Sequence, residues 1–453
     1  MTGNVDPVIE LTALAEGVLD RLVARGASEA KVIARAGQDL SVRVRMGEVE
    51  LVEEAGTRSL AVRAAKGKQV ATANTSDVTR SGIDRIVSDV LELCELAQED
   101  PFAGLPDPAD LGKAPWPELS LYDPACGEVR AAEAVGRARR AEQAARDLDP
   151  RITNSEGSSF GRTAGAFAMA TSGGFRGGYR GSYASLTVQP VAADEGGKNR
   201  TAYYWSARRA LAKLEDEVAV GREAARRTLR LLGARKVPSQ TAPVIFDADA
   251  ARSMIGTFAG CTTGDAIYRR SSYLLDRLDT PVASELVTIV DDPLIDGGPG
   301  SRPFDSDGIA SRKNVLVEGG RLATYLLDTY SARKLGLKST ASASGGSGAG
   351  TSNLLLLPGE KTPEEIIRDT PRGLYVTSMM GFGFNAVTGD FSRGAVGYWI
   401  ENGELAFPVS EITISLNFDQ LLKRIDAIGN DLELKSSVAS PTFRVSEMTI
   451  AGT

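Results

Sequence analysis

The chain has 453 residues, 42% apolar and 25% charged, with 48 Gly and 20 Pro, a globular composition too long for one ordinary core, so two or three domains are expected. Lys and Arg total 52 against 59 Asp and Glu, a formal charge of -7, which offers no overall basic field for nucleic acid. No apolar run reaches the roughly 20 residues of a membrane span, the start Met1 to Pro7 lacks a basic region followed by an apolar one, and a soluble cytoplasmic protein is expected.

In chain order, Val8, Leu11, Ala15, Val18, Leu19 and Leu22 recur at helical spacing, with Gly26 as the stop. Five short β-type runs follow, Lys31 to Ala36, Leu40 to Met46, Glu48 to Glu54, Ser59 to Ala65 and Gln69 to Asn74, which predict an antiparallel meander. Ile83, Ile86, Val87, Val90, Leu91 and Cys94 return to helical period over Asp77 to Ala97, with Ser76 or Asp77 as the cap. Six prolines within residues 101–124 mark an extended strap. An Ala-rich helix over Glu128 to Asp147 precedes strand-like segments at Gly165 to Thr171 and Ser185 to Val191, and a helix over Leu214 to Leu232 is closed by Gly233. The segment Pro238 to Pro243 is read as the boundary between an N-terminal unit (1–236) and a C-terminal unit (237–453). Beyond it come a strand at Val244 to Asp247, a helix carrying Ala251, Met254, Ile255, Phe258 and Ala259, and a β-type, glycine-rich remainder. Blocks of helices and strands, rather than strict alternation, predict an α+β fold.

The chain has no histidine, which removes Ser-His-Asp and Cys-His catalysis and every His-based zinc site at once. Cys94, Cys126 and Cys261 show no paired short spacing, so neither a zinc ribbon nor a disulfide framework is expected. Ser331 to Lys334 matches S-x-x-K, in which Lys can deprotonate Ser, but no S-D-N accompanies it and Lys361-Thr362-Pro363 puts Pro where K-T-G needs Gly. Asp291, Asp292, Asp296, Asp305 and Asp307 offer hard oxygens for a cation, or simply turns, since the spacing is not that of an EF-hand. Ser342 to Asn353 is a Gly/Ser stretch that either exposes backbone N–H groups to an anion or peptide or is a flexible loop, with Ser347 lacking any His to activate it. Gly381 to Ala386 satisfies G-x-G-x-x-A, but Thr388-Gly389-Asp390 forms a turn where a dinucleotide site needs a helix. Gly173 to Gly181 interleaves Arg, aromatics and Gly as single-stranded RNA binders do, and in an acidic chain it is read as a mobile hairpin or loop.

Several segments of the C-terminal half together resemble the TldD/PmbA family, the "modulator of DNA gyrase" peptidases, in its PmbA/TldE-type branch. They include Tyr268 to Asp276, Pro303 to Gly308, Tyr325 to Gly336, Asn385 to Ala395, Pro408 to Ile414, Gly429 to Asp431 and Met448 to Gly452. The resemblance implies an N-terminal α+β domain with an antiparallel sheet and long helices, followed by a β-rich C-terminal domain. It also implies a two-subunit peptidase acting on unfolded or small peptides, in which the TldD-type chain carries H-E-x-x-x-H and binds zinc. Here Gly256 stands at the first His, Thr257 at the Glu and Cys261 at the second His, so no catalytic residue and no metal are expected in this chain. An i, i+5 pair stands about 140° apart on a regular helix, so the motif needs a distortion that Gly260 can provide. The implied partners are a TldD-type subunit and a peptide, with Asp390 and Arg393 as contact residues or as an internal ion pair bracing their turn. Alternatives are a homo-oligomeric peptide-binding or scaffold protein of the same fold, and a histidine-free hydrolase using Ser331 and Lys334. Neither nucleic acid nor membrane is an expected partner.

Overall fold

The computed structural model describes residues 6–345 and 348–452, so Ser347 lies outside the described residues. Helix α1 (Pro7–Ala24) starts where the Asp6 carboxylate accepts from Val8 N, and it buries Leu11, Ala15, Val18, Leu19 and Leu22 along one stripe. Strands β1 (Glu29–Arg45) and β2 (Glu48–Lys66) form one long antiparallel hairpin. Its turn is Met46–Gly47, with φ of 54° and 84°, the left-handed pair that matches strand twist. Four predicted short runs are therefore two long strands, because the glycines read as breaks lie in register. Gly37 faces Gly165 of the next strand, and a Cβ on Gly165 would stand 2.6 Å from the Ala36 carbonyl oxygen, so glycine there permits close strand approach rather than a turn.

Strand β3 (Gln69–Thr75) leads to α2 (Arg80–Leu96), whose cap is Thr79, accepting from Gly82 N at 3.2 Å. Ser76 or Asp77 was the expected cap; the Asp77 carboxylate is instead held by Thr79 N and Oγ1 in the preceding turn. The proline-rich strap contains no regular element of note before α3 (Pro124–Glu128) and α4 (Ala131–Arg146). Strands β4 (Ile152–Thr171) and β5 (Arg176–Ala193) form a second long hairpin, followed by β6 (Asn199–Thr201), β7 (Tyr204–Arg208) and α5 (Glu217–Leu229). The Arg/Gly/aromatic stretch expected as a mobile hairpin or loop is a hairpin, its tight turn and the first residues of β5, held by packing. Phe175 is buried there, and the Tyr179 ring lies 5.3 Å from Phe167 and 5.6 Å from Phe304, which anchors the strand.

The sheet runs β3-β2-β1-β4-β5-β6, with β7 also on β5. Helices α1 and α2 cover Val32, Ala34, Leu60 and Val62, while α4 and α5 cover Leu40, Val42, Val44, Phe160 and Leu186. The β1 members are all even-numbered, so both helix pairs lie on one face and the odd-numbered side chains Lys31, Ile33 and Arg35 occupy the other. That second face meets the C-terminal half, where Ile33 and Met169 pack with Phe304 and with Leu111 of the strap.

The C-terminal half begins with β8 (Gln240–Phe246), whose first residues pair with the last strand rather than forming a linker. Next come α6 (Ala248–Gly260), α7 (Gly264–Tyr268), β9 (Ile289–Asp291), β10 (Asn314–Glu318), β11 (Arg321–Leu322), α8 (Thr329–Leu335), β12 (Leu354–Leu356) and α9 (Pro363–Arg368). Strands β13 (Arg372–Met380), β14 (Asp390–Glu401) and β15 (Glu404–Asn417), helix α10 (Phe418–Lys423), and strands β16 (Ile425–Ile428), β17 (Val438–Ala439) and β18 (Phe443–Ala451) complete it. One sheet is β11-β10-β9-β12-β17; the other is β15-β14-β13-β8-β18-β16, folded back on itself by a β15–β18 pairing. Their shared core includes Phe246, Phe258, Phe418 and Phe443. The architecture is α+β, with an antiparallel N-terminal sheet and a β-rich C-terminal half. No described helix is long and apolar enough to cross a membrane.

Candidate functional site

Helix α6 is well made. Its N-cap, Asp247, accepts from Ala250 N at 2.8 Å, and Met254, Ile255, Phe258 and Ala259 are buried in the C-terminal core. The opposite side carries Ser253, Gly256, Thr257 and Gly260. A Cβ on Gly256 would meet only Val438 Cγ1, at 3.8 Å, and one on Gly260 would meet nothing, so the missing side chains leave room rather than relieve crowding. Thr257 Oγ1 donates to the Ser253 carbonyl at 2.9 Å, spending its hydroxyl on its own helix. The helix ends at Gly260, and Cys261 caps it with its N–H on Phe258 O and Ala259 O. Cys261 is 1% exposed, and burial pushes its thiol up to about 11, far from the thiolate a metal requires.

Zinc needs several N, S or O donors, and a zinc peptidase also needs a carboxylate to take the proton of the bound water. Gly256, Thr257 and a buried, protonated Cys261 do not supply them, so the residues present do not fit the metal that the family resemblance implies. Among the described residues, no three His, Cys, Asp or Glu side chains gather closely enough to hold an ion.

Arg393, on β14, reaches this same surface. Its Nε donates to Gly381 O at 2.8 Å and its Nη1 to Ser253 Oγ at 3.3 Å, tying the β13–β14 turn to α6. Beside Gly381, Phe382 stands 99% exposed. Asp390 accepts instead from Thr388 Oγ1 at 2.7 Å and Asn417 Nδ2 at 3.1 Å, and these bonds hold its carboxyl below the usual range. The expected internal Asp390–Arg393 pair is thus absent. Three residues apart on a strand, the two side chains leave opposite faces.

The alternative constellations come apart. Ser331, 1% exposed, completes a capping box with Asp328, its hydroxyl bonded to that carboxylate, and a Cβ on Gly264 would stand 2.2 Å from Ser331 Oγ. Lys334 points elsewhere, its Nζ 3.9 Å from Asp100 Oδ1 and 4.4 Å from the Phe102 ring centroid. The S-x-x-K spacing therefore forms no Ser–Lys dyad. Asp305 accepts from the Asp307, Ile309 and Ala343 amides, and Asp291 accepts from Ser352 N and Oγ. Asp292 caps the turn at Leu294 N, and Asp307 lies against Lys31. These carboxylates close loops and do not converge on a cation.

Just past α6, a cleft opens between the uncovered face of the N-terminal sheet and the C-terminal half, lined among others by Arg63, Asp265, Tyr268, Tyr330, Ser344 and Gly345. The Gly/Ser stretch singled out in the sequence supplies part of its wall, and a bridge between Ala343 and Ala349 draws the two ends of that stretch together. Arg63 and Asp265 carried no motif. Strand parity and the tight hairpins place Lys31 opposite Arg63 on one face, which was the signal available for Arg63; nothing local marked Asp265.

The fold defines a class: a long antiparallel N-terminal sheet, covered by helices on one face and seated by the other on a β-rich C-terminal half, with no cluster of metal donors among the described residues. Domain descriptions of the PmbA/TldA metallopeptidases match residues 30–94 (domain 1), 124–232 (central domain) and 239–452 (C-terminal domain). The metalloprotease PmbA of Escherichia coli O157:H7 is 38% identical over 95% of this chain and 94% of its own length. A Bacteroides thetaiotaomicron protein that carries the name modulator of DNA gyrase superposes with a TM-score of 0.92 at 27% identity, covering 98% of this chain and 99% of its own. TldE from Thermococcus kodakarensis shares the fold, with a TM-score of 0.86 at 20% identity over 97% of this chain and all of that one. The chain belongs to the PmbA/TldD metallopeptidase family.

Proposed function

We propose that this chain is the PmbA/TldE-type, non-catalytic subunit of a two-subunit zinc peptidase. It pairs with a TldD-type chain that carries the metal and helps hold an unfolded or small peptide beside that metal. The observation that carries this reading is the state of α6: capped, packed and accessible on its outer side, yet presenting Gly256, Thr257 and buried Cys261 where donors and a base are needed. Arg393, bound to Ser253, and exposed Phe382 give the same surface a charged and an apolar group for contact with peptide or partner. Three buried, unpaired cysteines suit a reducing compartment, and the complex is assigned to the cytoplasm on that ground.

The test is reconstitution. Pure chain is expected to carry no stoichiometric zinc and to leave an unfolded casein-derived peptide intact, while mixing with a TldD-type relative yields a mixed-subunit species and cleavage. Zinc-dependent cleavage by the pure chain would overturn the proposal. A homo-oligomeric binder is the second reading, favoured by the exposed outer edge of β2, which pairs with β3 only from Leu60 onward. Native mass measurement separates the two: self-copies alone, with the TldD-type chain present, select the homo-oligomer.

A further inference from the structure

The cleft beyond α6 has a volume of about 700 Å³. One wall is the uncovered sheet face, with Lys31, Arg63 and Asn74; the other carries Asp265, Tyr268 and Tyr330. Its charges divide into committed and uncommitted groups. Lys31 Nζ donates to Ser306 O at 2.8 Å and stands 3.4 Å from Asp307 Oδ1, while Asp307 Oδ2 accepts from Thr329 N at 3.0 Å. Asp328 is taken by Ser331 in the capping box. Arg269 Nε donates to the Tyr268 hydroxyl at 3.3 Å. The side chains of Arg63 and Asp265 make no hydrogen bond or ion pair with a described residue; each feels only a longer-range attraction, Arg63 to Asp307 and Asp265 to Arg269. Further along the same face, the Arg35 guanidinium lies 5.2 Å from the Phe167 ring centroid, beside Gly345 and within electrostatic reach of Tyr179.

A half-buried arginine with its N–H donors unspent is a receptor for a carboxylate, because the planar fork matches two carboxylate oxygens and reduced exposure to water strengthens the bond. The remaining lining chooses the kind of molecule. Asp265, on the facing wall, repels a dianion such as phosphate more strongly than a single carboxylate, and its own carboxylate can accept a peptide N–H. Ile33, Ala61 and Val70 give apolar ground between the polar groups, and the Tyr268 and Tyr330 rings, packed edge to face at 5.8 Å, add an aromatic surface to the opposite wall.

We propose that this cleft is a peptide-binding site in which Arg63 holds a carboxylate of a short, extended peptide and Asp265 accepts from its N–H groups. The proposal rests on the reading of this chain as a peptide-holding subunit and names the ligand class and the anchoring residue. The carboxylate comes from the peptide's C-terminus or from an acidic side chain.

The experiment is fluorescence anisotropy on the full chain alone, without partner or zinc. The probes are N-terminally labelled Ala-Ala-Phe-Ala-Ala as free acid, the same peptide as C-terminal amide, and the amide with one Ala replaced by Glu. At least one carboxylate-bearing probe is expected to bind at least tenfold more tightly than the plain amide, and Arg63→Ala to erase that advantage. Preference for the free acid assigns the terminus; preference for the Glu amide assigns the side chain. Arg63→Lys is expected to restore part of the advantage, and Gly345→Trp, which adds bulk to the cleft wall, to weaken all probes. Probes that bind equally, or a carboxylate advantage that survives Arg63→Ala, overturn the proposal. Because no partner is present, a failed reconstitution with intact Arg63-dependent binding refutes only the subunit assignment, whereas successful reconstitution with no effect of Arg63 refutes only this site.

Discussion

The outer side of α6 and the cleft just beyond it are built on opposite terms. On α6 the inner side is fully packed and the outer side is nearly bare: Met254, Ile255 and Phe258 fill the core, while Gly256 and Gly260 face outward. In the cleft two charged side chains, Arg63 and Asp265, stand without a hydrogen bond or ion pair to a described residue. Side chains that maintain a fold point inward and those that perform chemistry point outward, so one set can be lost while the other stays.

Substitutions in the two regions sharpen that contrast. The largest effect is expected from Phe258→Ala: removing a fully buried aromatic side chain from the inner face of α6 should cost about 3–5 kcal/mol in urea unfolding. A loss below about 1 kcal/mol would mean that this helix is not packed as described. Cys261→His, which returns an imidazole to the degenerate motif, should destabilise by about 1–3 kcal/mol through overpacking. It should also bind no stoichiometric zinc by metal analysis, since Gly256 and Thr257 still supply nothing. Asp328→Ala removes the α8 cap and strands buried Ser331, for a loss of about 1–2 kcal/mol measured the same way.

A smaller effect depends on pH. Burial first, and then the neighbouring Asp249, raises Asp247 to about 7, against an ordinary value of about 4. The folded state therefore prefers the protonated acid, and this contribution to stability is complete below about pH 4 and lost as pH rises through about 7. Asp247→Asn, which keeps an N-cap acceptor for Ala250 N, should raise the Tm at pH 8 and leave it nearly unchanged at pH 4. Equal shifts at both pH values would dismiss the titration. Smallest of all, Arg63→Gln should change unfolding stability by no more than about 0.5 kcal/mol, as befits a residue without folding partners.

Much of this was legible in the sequence. Apolar periodicity located α1, α2 and α6 and their buried stripes, the prolines marked the strap, and alternation in Ser41 to Arg45 marked β1. The absence of histidine excluded every His-based zinc or nucleophile site from the sequence alone. Strand length was misjudged because Gly37 and Gly56, which fall between the predicted runs, lie in register within β1 and β2, and that register is set by the partner strand. The S-x-x-K spacing misled because spacing says nothing of what else claims the hydroxyl, and Asp328 claims it.

Composition and local pattern determined which segments become helix or strand, which faces are apolar and which chemistries the chain lacks, because these depend on residue type and on neighbours within a few positions. Tertiary structure alone decided that Arg393 binds Ser253 rather than Asp390, and that Arg63 faces Asp265 across a cleft. Those pairs are more than a hundred residues apart in the chain, and only strand register and the seating of the two halves bring them together.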